Sequence, residues 1–149
     1  MGKVEDVARK LGQALSKRDA EAAISLYAPD AVAYDPFYPE PLRGKALRED
    51  NEVFFRGFPD LRVDILTVIE KDDSTGALEM RFSGTNTGPM GTPQGGEMPP
   101  TNKRVDLKGA AFIRLDRNGK IVEERRYYDT SAMMRQLGLM PEPQAMAAH

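Results

Sequence analysis

The side chain best placed for proton chemistry in this sequence lies near the end of the chain. Lys120 to Gly138 (KIVEERRYYDTSAMMRQLG) reads as a long strand running into a short helix, with Asp129 at the junction. A carboxylate there would be the group to take or return a proton, provided that burial lifts it from its ordinary range near ~4. The same carboxylate is also well placed to cap the helix by accepting from the backbone N–H of Ser131 or Ala132. Tyr34, Tyr38, Tyr127 and Tyr128 are phenols that could donate to an oxygen developing negative charge, and Tyr34, on an early strand, is the preferred one. Arg81 shares a face with Glu79 and is read either as a pocket arginine for an ester or carboxylate or as half of a cross-strand ion pair. Asp50 lies among Leu47, Val53 and Phe54 on one side of a helix, a carboxylate in apolar company, read first as a wet residue at the rim and otherwise as part of a pocket.

Other chemistries are set aside by composition. The chain has no cysteine, and its one histidine, His149, is the last residue, which leaves no basis for thiol chemistry, a zinc site or a histidine triad. The absence of cysteine is read as fitting the cytoplasm. A net charge of −2 argues against a nucleic-acid partner. No apolar run approaches a membrane span, and MGKVEDVARK lacks the apolar core of a signal peptide.

The elements that must hold these residues follow from periodicity. Val4, Val7, Ala8, Leu11 and Leu15 recur at helical spacing over Lys3 to Ser16. Asp19 can cap a second helix ending about Tyr27, Ala28-Pro29-Asp30 stops it, and Ala31 to Asp35 reads as a short strand. The aromatic, proline-rich stretch Tyr34 to Pro39 follows, then a third helix from Lys45 to about Arg56. From Leu61 the period becomes two, with Leu61, Val63, Ile65, Thr67 and Ile69 on one face. Asp72 to Gly76 turns the chain into a strand from Ala77 to about Thr85, with Leu78, Met80 and Phe82 together and Glu79, Arg81 and Ser83 opposite. Thr87 to Arg104, with four glycines and four prolines, reads as a long loop, either a lid or a disordered excursion. Val105 to Leu115 and Lys120 to Asp129 are strands joined at Asn118-Gly119. On the last strand Glu123, Arg125, Tyr127 and Asp129 share one face, expected to look into a pocket, and Glu124, Arg126 and Tyr128 share the other. Thr130 to Leu137 is a helix closed by Gly138.

Three helices before four hairpin-linked strands make one α+β domain over residues 1–140, followed by a tail, 141–149. The expected form is a cone: a curved antiparallel sheet closed by the N-terminal helices, with a pocket between them. The pocket is expected to hold Asp50, Phe54, Phe37, Tyr127, Arg125 and Ser83 beside Asp129, Tyr34 and Arg81.

Five pieces in order, Phe58-Pro59-Asp60-Leu61, Gly84-Thr85-Asn86-Thr87-Gly88, Pro99-Pro100-Thr101, Asp116 to Glu123, and Tyr128-Asp129 with Gln136-Leu137-Gly138, resemble the SnoaL-like polyketide cyclase (ester cyclase) family. The resemblance implies the fold of nuclear transport factor 2 and ketosteroid isomerase, and aldol ring closure of a polyketide ester, or a related isomerisation, with no cofactor or metal. It also implies an acid–base aspartate matching Asp129, and a homodimer through the outer sheet face, where Tyr128 is expected. The partner is then a small hydrophobic molecule. Two alternatives remain open: a dimer that binds a hydrophobic ligand without catalysis, and an epoxide hydrolase-like enzyme. For the latter, Tyr34, Arg81 and Asp129 match the pattern of limonene-epoxide hydrolase, while Pro36 and Ser83 replace its asparagine and middle aspartate.

Overall fold

The computed structural model describes residues 2–92 and 94–143; the expected tail lies, from residue 144 through His149, outside the described residues. Helix α1 (Lys3–Ser16) buries Val4, Val7, Ala8, Leu11 and Ala14 on one stripe. Gly12 lies in that stripe because a Cβ there would stand 2.8 Å from Cγ1 of Ile65. The end of α1 is tied to the sheet by Ser16, whose hydroxyl donates to the Val63 carbonyl at 3.0 Å and accepts its N–H at 2.9 Å. Helix α2 (Ala20–Ile24) is capped by Asp19, which accepts from Ala22 at 3.0 Å.

The helix expected to reach Tyr27 stops earlier. Tyr27 instead opens strand β1 (Tyr27–Tyr34), and Ala28-Pro29-Asp30 forms an irregular stretch within the strand rather than a boundary before it. Proline cannot donate to a ladder, so the pairing breaks there and resumes at Val32. Strand β2 (Leu42–Arg43) and helix α3 (Lys45–Gly57) follow. Then come β3 (Arg62–Glu70), β4 (Thr75–Thr85), the small hairpin β5 (Met90–Gly91) and β6 (Glu97–Met98), β7 (Arg104–Leu115), β8 (Ile121–Tyr128) and helix α4 (Thr130–Gln136). Gly138, at φ 77°, takes the left-handed position after α4.

The main sheet has six strands in the order β2-β1-β8-β7-β4-β3. All neighbours are antiparallel except β1 and β8, which run parallel. Two bulges decide which side chains face the helices. In β3 the register slips between Ile65 and Thr67, so Val63 is buried while Ile69, expected on the same face, is 68% exposed. In β8, Ile121 pairs with Leu115 and Glu123 with Arg114, leaving Val122 as the extra residue. Beyond that bulge Glu124, Arg126 and Tyr128 point inward, and Glu123, Arg125 and Tyr127 point outward. This reverses the faces read from the sequence.

The excursion from Thr87 to Arg104 is anchored at its base by Asn86, which is fully buried. Its amide nitrogen donates to the carbonyls of Gly57 at 2.9 Å and Gly88 at 3.0 Å, and its oxygen accepts from Thr101 N–H at 2.8 Å.

Candidate active site

A cavity of about 130 Å³ opens between α1, α3 and the concave face of the sheet. Leu15, Phe54, Val63, Met80, Phe82 and Leu107 make its apolar walls. Gly109, the partner of Tyr128, borders it. A Cβ at Gly109 would stand 3.0 Å from the Tyr127 carbonyl oxygen and 3.2 Å from the Tyr128 Cβ.

One end of the cavity is polar, and Arg126 is its centre. The guanidinium donates through Nη1 to Asp35 Oδ2 at 3.0 Å and to Asp50 Oδ2 at 2.9 Å, and through Nη2 to Glu124 Oε1 at 3.0 Å. Three elements converge to build this cluster. Asp35 follows β1 in a turn set by Pro36; its Oδ1 accepts from the Phe37 N–H at 2.9 Å and from the Tyr128 hydroxyl at 2.7 Å. Asp50 projects from α3, and Glu124, Arg126 and Tyr128 alternate along β8. Tyr27, at the start of β1, donates its hydroxyl to Glu124 Oε1 at 2.6 Å.

The electrostatics single out Asp50. Asp35 and Glu124 each accept from a phenol as well as from Arg126, but Asp50 Oδ1 is buried with no hydrogen-bond partner. Burial raises the Asp50 carboxyl above its ordinary range, Arg126 opposes the rise, Asp35 adds to it, and the nearby Tyr38 hydroxyl opposes it in turn. Burial disfavours the charge of Arg126, but Glu124, Asp50 and Asp35 outweigh it and hold the guanidinium charged. The Tyr128 phenol is raised by burial and then by Asp35, and the Tyr38 phenol by burial and then by Asp50, so both keep their protons. A buried carboxyl with a raised pKa and an oxygen left without a partner, on a residue that lines an apolar chamber, has the attributes of a general base.

Several residues expected in the pocket are elsewhere. Asp129 caps α4, accepting from Ala132 N–H at 3.0 Å, and its side chain is 64% exposed. The helix-capping alternative therefore describes its position, because its strand face is the outer one. Tyr34 is 41% exposed on that same face, opposite Arg125. Arg81 is the cross-strand ion pair, donating through Nε to Asp106 at 2.8 Å in the open. Arg125 bonds Glu123 at 2.6 Å and lies over the Phe112 ring on the outside. The Tyr127 ring packs edge-on against Phe112 and is 55% exposed, although its residue borders the cavity. Ser83 is buried but does not line the cavity.

Asp50 and Phe54 do line it, and Phe37 packs its ring against Phe54 at 5.9 Å while facing a neighbouring hollow. The sequence reading missed Asp35, Glu124 and Arg126, and it put Tyr128 on the wrong face. An available signal was the Asp-Pro turn after β1, which fixes a carboxylate at a strand end. Among the described residues no group of side chains is suited to hold a metal ion, and the three carboxylates are engaged by Arg126.

Known structures repeat this architecture. IdmH from Streptomyces antibioticus, a candidate polyketide cyclase, is 24% identical, with 90% of this chain and 97% of that one aligned at a TM-score of 0.71. A Δ5-3-ketosteroid isomerase from Mycobacterium is 20% identical over 89% of this chain and 97% of that one, with a TM-score of 0.69. SalBIII, an epoxide hydrolase/cyclase-like enzyme of pyran ring formation in the polyether salinomycin, is 16% identical over 86% and 92%, with a TM-score of 0.70. At such identities the likeness shows a shared fold, that of nuclear transport factor 2 and ketosteroid isomerase. No curated protein matches the sequence. The family described as SnoaL-like polyketide cyclase matches residues 5–137, nearly the whole chain, and the protein belongs to that family.

Proposed function

We propose that the protein is an acid–base enzyme acting on a small hydrophobic carbonyl compound, with Asp50 as the base. The observation that carries this reading is the buried, unpartnered Oδ1 of Asp50 at the end of an apolar cavity. In the proposed step, Asp50 takes a proton from the carbon next to the substrate carbonyl, and the electron pair of that C–H bond moves into an enolate. Tyr128, with its proton held on by burial, swings its single O–H from Asp35 Oδ1 to donate to the enolate oxygen as charge develops there. The enolate carbon then attacks a second carbonyl of the same molecule, closing a ring as the π electrons of that carbonyl move to its oxygen, and the alkoxide takes the proton back from Asp50; alternatively the enolate takes that proton at another carbon, completing an isomerisation. No other redox partner or group donor is required. Asp50 and Tyr128 thus take the roles that the sequence suggested for Asp129 and Tyr34.

The test is exchange of the α-protons of cyclohexanone in deuterium oxide, followed by proton NMR. Exchange that is lost in Asp50→Asn supports the reading. A ligand that binds in the cavity without any exchange supports the non-catalytic binding alternative.

One observation favours a second reading, hydration of an epoxide. That chemistry needs one carboxylate to take a proton from water and one carboxyl to protonate the epoxide oxygen as its C–O bond breaks. Ser83 leaves the expected position without an acid, but Asp35 and Asp50, bridged by Arg126, supply two carboxyl groups from different elements. Incorporation of heavy oxygen from labelled water into the diol formed from cyclohexene oxide separates this reading from the first.

The protein is further proposed to work as a homodimer through the outer sheet face. Phe112, Tyr127 and Tyr34 are exposed there, beside charges of both signs, Arg125 with Glu123 and Arg81 with Asp106. Such a patch can be self-complementary about a two-fold axis.

A further inference from the structure

We infer that the Asp50 cavity selects a positively charged ligand, a small alkylammonium or a carbonyl compound bearing a protonated amine, over neutral or anionic molecules of the same shape. The inference rests on the cavity being the ligand site, as proposed above, but not on the proton-transfer step.

The cluster at the polar end is out of balance. Asp35, Asp50 and Glu124 face one guanidinium, so once Asp50 is ionised the three carboxylates leave two formal negative charges without a cation in the cluster. All three carboxylates are at least nine-tenths buried, which keeps water and salt from neutralising them. Tyr27, Tyr38 and Tyr128, the other titratable groups around the cluster, donate hydrogen bonds or hold their protons and bring no positive charge. Asp50 Oδ1, the one fully buried side-chain polar atom among the described residues without a hydrogen-bond partner, belongs to a residue that lines the cavity.

The walls suit a cation. Phe54, Phe82, Tyr27 and Tyr128 surround the space, and aromatic faces attract ammonium groups most strongly where water is excluded. The cavity, about 130 Å³, is close to one that accommodates benzene, at about 150 Å³. It therefore fits a compact alkylated nitrogen. An anion would meet the excess negative charge with no cation turned towards it: Arg126 is already committed to three carboxylates, and Lys108, whose residue borders the cavity, is exposed on the outer face of β7 opposite Arg81.

The full chain is tested by calorimetry with three probes of one branched shape: choline, its neutral isostere 3,3-dimethylbutan-1-ol, and the anion 3,3-dimethylbutanoate. Choline is expected to bind at least about tenfold more tightly than the alcohol, with no detectable binding of the carboxylate. Its affinity should rise with pH as Asp50 ionises and then level off, because a cation stabilises the ionised carboxylate. Asp50→Asn should abolish the preference for choline, and Glu123→Gln, which removes an exposed charge of the outer face, should leave it unchanged. Equal binding of choline and the alcohol by the wild-type protein, or no binding of choline, overturns the inference whether or not the variants fold. Ketone exchange that depends on Asp50 would survive that result, so the cation preference and the catalytic reading fail separately.

Discussion

Asp50 meets Arg126 through a single oxygen, Oδ2 at 2.9 Å from Nη1, and leaves its other oxygen buried and unpartnered. A structural ion pair would use both lone-pair faces of the carboxylate. This one holds the group in place beside the cavity while leaving half of it without a partner, at the cost of a carboxyl whose charged form is disfavoured.

That cost makes stability depend on pH in a definite direction. Because burial raises Asp50 in the folded state, the folded protein binds that proton more tightly than the unfolded chain does. The disadvantage is absent below the ordinary carboxylate range, and it grows as pH rises from there through the raised value. Asp50→Asn should therefore gain stability relative to wild type as pH increases across that window, measured by urea unfolding at several pH values. A gap that shrinks with rising pH would contradict the assignment.

Arg126 is what makes three buried carboxylates tolerable. Arg126→Met should cost about 3–5 kcal/mol at neutral pH, the usual penalty for stranding buried charge, with part of it recovered in acid as the carboxylates protonate. The shift in urea midpoint measures it, and a change within about 0.5 kcal/mol would mean the cluster is more hydrated than its burial indicates.

Sequence periodicity disclosed the elements well and their faces less well. Helix α1, the turn at Asn118-Gly119 and the Gly138 cap follow from spacing and turn chemistry and lie where they were expected, and the turn expected over Asp72 to Gly76 is shorter, since Thr75 and Gly76 already belong to β4. The inward face of β8 does not follow. Both of its faces carry charge and a tyrosine, so alternation has no apolar side to choose, and the bulge at Val122 leaves no mark in the pattern. The outcome was that Asp129 and Tyr34 were read as facing the pocket, whereas Arg126, the hub of the site, was grouped with the outside. Asp50 was recognised as a carboxylate in apolar company, because helical spacing is robust to a slip of one residue in a way that a strand is not.

Asn86 should be the main anchor of the glycine- and proline-rich excursion. Asn86→Ala removes bonds to Gly57, Gly88 and Thr101 and leaves buried carbonyls and an N–H unsatisfied, at an expected cost of about 3 kcal/mol. Hydrogen exchange should speed up at the amides of Thr101, Asn102 and Lys103, while β7 and β8 stay protected. Uniform loss of protection would place Asn86 in the global core instead.

Dimerisation through the outer face predicts that Phe112→Glu yields a monomer with an unchanged circular dichroism spectrum. Light scattering coupled to size-exclusion chromatography measures it, and a variant that still dimerises would move the interface elsewhere.

The central claim is best tested by deuterium wash-in to cyclohexanone, comparing Asp50→Asn with Asp129→Asn. The exchange rate should fall by at least about 100-fold in Asp50→Asn and stay within about twofold of wild type in Asp129→Asn. Exchange retained by Asp50→Asn and lost in Asp129→Asn would contradict the account and return the proton chemistry to the exposed end of the last strand.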